Sequence, residues 1–129
     1  MTAGASAVNL ANKWLSVISG TTFTGVTSAW AKLHTADPGS AGATAAAVET
    51  TRKQWAFAAP SAGAMAAQAT FPSWLWATGP ETITHVSVWD ASTAGNFLYS
   101  YALTASKSPV NGDTLTLNSH SVTLTPIAA

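Results

Sequence analysis

His34 and Asp37 sit three residues apart in HTAD (34–37), the densest cluster of acid–base side chains in a 129-residue sequence with three histidines, five carboxylates and no cysteine. A histidine oriented by a carboxylate and set beside one of the many serines would be the makings of an acyl-transfer triad. That chemistry also wants a nucleophile on an exposed, strained turn, and no G-x-S-x-G elbow is present. Without cysteine there is no thiolate nucleophile, no Cys-based zinc site and no disulfide. A metal site needs clustered ligands. His34, His85 and His120 instead fall on three different expected strands, with no i,i+2 or i,i+4 pair among them.

The same residues have an architectural reading. Pro38 biases Asp37 away from helix, Gly39 lets the chain turn, and the Asp37 carboxylate is placed to accept from backbone N–H groups just ahead of it. HTADPG then ends a strand at a corner. This reading is preferred over the catalytic one, so the sequence predicts no enzyme, no catalytic or metal-binding residue and no cofactor.

The elements around this corner are mostly β. AVNLANKWLSVI (7–18) places Ala7, Leu10, Ala11, Trp14, Leu15 and Ile18 on one helical stripe, with Ser6 as N-cap and Gly20 as terminator. From Thr21 onward, Val, Thr and aromatic runs are punctuated by Gly, Pro, Asn and Asp. Strands are expected at 26–35, 54–59, 65–71, 83–90, 97–105, 113–118 and 120–125. In 83–90 neither alternating face is wholly apolar, which points to a strand covered on both sides. In 113–125 the inward candidates are Leu115, Leu117, Val122 and Leu124. PSAGA (60–64), DASTAGN (90–96) and VNGD (110–113) carry turn chemistry, and Asn111-Gly112 before Asp113 is the strongest short hairpin signal. The Ala-rich stretch 40–50 is a loop or a short helix. The expectation is a single domain over 1–129: helix at 6–19, then a mainly β sandwich of about seven strands at 21–126, immunoglobulin-like or jelly-roll-like.

Charge narrows the function. Acidic and basic residues make up 8% of the chain and balance to zero net charge, against roughly 25% in ordinary soluble domains. Lys13, Lys32, Arg52, Lys53 and Lys107 are scattered, which speaks against nucleic-acid binding, where clustered cations are needed. No apolar run approaches the ~18 residues that span a bilayer, and MTAGASAVNLANKWL lacks the basic-then-apolar pattern of a secretory signal. So little charge leaves a free monomer poorly protected against association. The composition suits a chain whose surface is used up in an assembly.

One ordered set of motifs carries a resemblance: LHTADP (33–38), a lone Arg52 after the loop, AQATFP (67–72), VWDA (88–91), GN before an apolar strand (95–103) and GDTLTL (112–117). Together with the N-terminal helix, this order resembles a family of short bacteriophage virion proteins usually labelled phage tail fibre or minor tail protein. The resemblance spans roughly residues 7–124. It implies a non-enzymatic structural component of the virion, assembled in the bacterial host cytoplasm, with other virion proteins as partners. A homo-oligomer is expected, a trimer by analogy with virion parts in general. A tail position and a capsid-decorating position both remain open.

PSWLWATGP (72–80) departs from that pattern and reads as an elaborated loop in which one of Trp74 and Trp76 is exposed. Trp74, Leu75 and Trp76 are therefore candidate subunit contacts, with packing beneath the loop and stacking on host-surface glycans as the alternatives. Trp14, Trp55, Phe57 and Trp89 read as core. Arg52 joins Trp74, Leu75 and Trp76 as a candidate interface residue, offering a buried or interfacial ion pair, three residues after Glu49, with a solvated surface charge as the alternative. Asp37, Pro38 and Gly39, and Asn111, Gly112 and Asp113, read as structural turns. A carbohydrate-binding module and a small hydrolase built on His34, Asp37 and a serine are the competing classes.

Overall fold

The computed structural model describes residues 3–125; Pro126, the end of the expected sandwich, lies outside them. A π-helical segment, Ala7–Ala11, runs into helix α1, Asn12–Ser19. Eight strands follow: β1 Ala29–His34, β2 Lys53–Trp55, β3 Ala64–Ala66, β4 Ser73–Leu75, β5 Ile83–Trp89, β6 Phe97–Lys107, β7 Thr114–Thr116 and β8 Ser121–Thr123. The fold is mainly β and antiparallel, with one helical stretch at the N-terminus, as the sequence predicts. No helix among the described residues is long and apolar enough to cross a membrane.

The helix is capped where the sequence signals it. Ser6 Oγ accepts from the Asn9 N–H at 3.2 Å, and Gly20 closes the last turn with φ 71°. Its packing is different from expectation. No residue of the helix is buried, and Trp14, read as core, is 38% exposed. The chain is tied down only at the start, where Ser6 N–H donates to the Leu98 carbonyl and Asn9 Nδ2 to the Phe97 carbonyl. From Asn12 onward the helix makes no extensive contact with any strand.

The main sheet has the order β2-β1-β5-β6. β5 lies inside it, with Val86 and Val88 buried on one face and Ser87 and Trp89 on the other. This is the two-sided cover that its alternation implies. On the first face Val86 joins Ala31, Leu33, Trp55, Trp74, Trp76 and Leu117 in the core. Two small ladders, β4 with β7 and β3 with β8, supply the opposing layer of a sandwich-like arrangement.

The 40–50 stretch is a loop, held away from helix by positive φ at Gly42 and Ala45. It returns along the β1 edge, where Thr35 N–H donates to Ala45 O at 2.9 Å and Ala47 N–H to Leu33 O at 3.1 Å. β1 is thus paired past the end of β2. Gly42 rests on Phe97 so closely that an added Cβ would lie 2.2 Å from the ring, and its φ is +69°. Gly42→Ala is therefore expected to cost about 1–3 kcal/mol in denaturant unfolding, from overpacking and left-handed backbone strain together.

Three expectations need correction. Strand β4 occurs inside PSWLWATGP, which reads as a loop from sequence; three residues pairing with Thr114–Thr116 are too few for a clear strand pattern. Asn111-Gly112 forms a turn, with Asp113 N–H donating to Val110 O at 2.9 Å, yet it joins strands that do not pair with each other. β7 pairs with β4 and β8 with β3, and Leu124, expected to face inward, is 47% exposed. PSAGA does form the expected turn, closed by reciprocal bonds between Ser61 and Ala64.

Candidate functional site

Antiparallel pairing of β1 with β5 sets Lys32 opposite Ser87 and His34 opposite His85. Opposed residues share a face, so His34 and Ser87 meet diagonally. His34 Nε2 lies 2.7 Å from Ser87 Oγ, and its Nδ1 lies 2.8 Å from the Thr44 carbonyl. A carbonyl only accepts, so Nδ1 carries the proton and Nε2 accepts from the Ser87 hydroxyl. Ser87 Oγ in turn accepts from Trp89 Nε1 at 2.8 Å. Burial pushes the His34 pKa down, which suits this neutral tautomer.

A serine and a histidine at this distance have the spacing of a nucleophile and its base. Access is what the pair lacks: both side chains are 0% exposed. Asp37 is not the orienting carboxylate, because its Oδ1 accepts from the Gly39 N–H at 2.9 Å. No group of three or more His, Asp or Glu among the described residues is placed to hold a metal ion. The arrangement is a satisfied polar relay that fixes the 38–47 loop to the sheet. Nothing in the sequence links residues 34 and 87.

Within the chain Arg52 packs on an aromatic ring rather than pairing with Glu49. Its guanidinium carbon lies 3.7 Å from the Trp89 ring centroid, and Nη1 donates to the carbonyls of Ala91 (3.0 Å) and Ala94. Glu49 accepts instead from the Thr51 N–H. Arg52 therefore clasps the 90–96 turn, which Asp90 closes by accepting from the Asn96 backbone and side chain. At the other candidate patch, Trp74 and Trp76 are each 1% exposed and Leu75 is 66% exposed. The expectation that one of the two tryptophans is exposed is corrected. Residues two apart on an extended chain share a face, and that period was the readable signal. Neither indole face is presented for stacking on a sugar.

Sequence reasoning missed an aromatic stack around His120. The imidazole stacks on the ring of Tyr101 (4.1 Å, 12°) and lies nearly parallel to that of Tyr99 (5.8 Å, 19°), with Trp55 at 4.9 Å. Tyr99 Oη is 3.0 Å from His120 Nε2. Burial lowers the His120 pKa from an ordinary 6.5 to about 4. The unfolded chain then takes up the proton first, so this group's contribution is complete above pH 6.5 and lost as pH falls toward 4. Full linkage is about 3 kcal/mol at ~1.4 kcal/mol per pKa unit, and partial solvent access reduces it to on the order of 1–2 kcal/mol. His34 acts in the same direction. Unfolding free energies at pH 7.5 and pH 4.5 are expected to differ by at least that amount, with a smaller difference in His120→Phe.

A family model described as "Podophage GP4 fiber I protein gp80" matches residues 5–125. The chain belongs to this phage fibre family. No curated protein matches it. The match runs from the N-terminal pairing segment past β8, so it takes in all eight strands. The motif resemblance and the family agree at the level of phage fibre proteins, a class of structural virion components. Seven of the twelve large apolar side chains exposed among the described residues fall between Val8 and Val26.

Proposed function

We propose that this chain is a non-enzymatic subunit of a tail fibre or minor tail structure, folded as one domain and acting by protein–protein assembly with copies of itself and other virion proteins. The family match over residues 5–125 carries the reading. The chemistry supports it, because the serine–histidine pair found at catalytic spacing among the described residues is sealed inside the sheet. So does the surface, where exposed apolar side chains are many and charges few. Such a surface is costly to leave in water and favours association. Leu75, standing out from the β4 ladder over a buried Trp74, is a candidate contact for other virion proteins rather than for a second copy.

Gold-labelled antibody against the recombinant protein, imaged on intact virions, tests the position. Label at the tail or its fibres is the expected result. Label spread over the shell would mean a capsid-decorating role and overturn the fibre assignment.

A further inference from the structure

We propose that residues 7–26, the N-terminal helix and the segment after it, form the contact between copies of this chain. The inference rests on the assembly reading above and names its surface. The first ground is the helix itself. Thirteen residues, Ala7 to Ser19, have no buried side chain, and isolated helices below ~12–15 residues are marginal in water because packing supplies most helical stability. A helix that is capped at both ends, tied to β6 only at its first turn and without a buried side chain lacks a partner for its apolar face.

The second ground is area. Val8, Leu15, Val17 and Ile18 are 62–86% exposed, and Trp14, Phe23 and Val26 are 38–44% exposed. Together they present on the order of 700 Å², close to the ~800 Å² that each partner gives to a standard interface. Scattered single exposures are ordinary on a protein surface, but seven large apolar side chains exposed within residues 8–26 are not.

Charge and shape select a second copy as the occupant. Lys13 is the only charged side chain before Lys32. A strongly charged partner finds nothing complementary there, and two copies meet with little repulsion. Beside the helix lies an open groove of about 520 Å³, lined by Leu10, Trp14, Phe23, Phe57 and Met65 among others. Each chain thus carries a projecting apolar ridge at Leu15 and Ile18 and an apolar groove next to it. A neighbouring copy supplies what each of them lacks.

The test is sedimentation velocity on the full chain across concentrations, comparing wild type with L15K/I18K. Val17→Glu serves as a milder variant that keeps a good helix former, and Leu75→Lys as a control on β4. Wild type is expected to be oligomeric. L15K/I18K and V17E are expected to weaken self-association by roughly 100-fold or more, with the strand signal in circular dichroism and the behaviour of L75K unchanged. An oligomer that survives both helix variants would overturn the helix contact and leave assembly itself standing. Dissociation by L75K alone would overturn it too, and would move the contact to β4. A wild-type monomer at every concentration would overturn self-association; the virion reading is then decided separately by whether the chain is found on particles.

Discussion

Replacing Trp74 with alanine is expected to lower unfolding free energy by about 3–5 kcal/mol, the range for emptying a large buried aromatic site. Trp74 is 1% exposed and lies among Trp55, Trp76, Leu33 and Leu117 in the layer between the main sheet and the β4–β7 ladder. Its Nε1 also donates to the Thr51 carbonyl at 2.7 Å, fixing the approach to β2. Total stability of a domain this size is on the order of 5–15 kcal/mol, so such a loss is a large share of it. Trp74→Phe keeps most of the volume and removes the hydrogen bond, for an expected cost of about 1–2 kcal/mol. Chemical denaturation of both variants separates the roles. A residue serving only as a subunit contact would leave monomer stability unchanged in both.

His34→Leu is expected to cost about 3 kcal/mol, because it strands two buried polar groups at once. The Thr44 carbonyl loses its donor and the Ser87 hydroxyl loses its acceptor, at roughly 1–3 kcal/mol for each group left unsatisfied. Ser87→Ala breaks the same relay from the middle, freeing the Nε2 of His34 and the Nε1 of Trp89. The two changes share one network, so H34L/S87A should cost less than their sum, with a coupling of about 0.5–3 kcal/mol. Additive costs would mean that His34 and Ser87 do not act as a unit. Loss of a hydrolytic activity in His34→Leu, with stability intact, would revive the enzyme reading.

Legibility in the sequence followed the range of the interaction. The helix caps at Ser6 and Gly20, the PSAGA connection and the two-sided cover of β5 are written within a few residues, and all were readable. Strand β4 was not, although Trp74 and Trp76 share the period of two. The flanking Pro72 and the Thr-Gly-Pro run made a loop the better local reading, and pairing with β7, some forty residues on, decided otherwise. Asn111-Gly112 misled in the opposite direction: its local geometry is a turn, but the strands it joins belong to different layers. The His34–Ser87 relay and the His120 stack depend on register and on residues from several strands, and no single-sequence pattern records them. The helix stripe was legible as amphipathic, and the error lay in assuming that an apolar face must find its partner within the same chain.

The most direct measurement is the copy number of this chain per particle, by quantitative mass spectrometry of purified virions against the major capsid subunit. A fibre-family assembly protein is expected at a small, fixed number of copies, set by the tail and its fibres. A ratio approaching one per capsid subunit, or a simple fraction of that, would contradict the fibre position in favour of shell decoration, and absence from purified particles would contradict a structural role in the virion altogether.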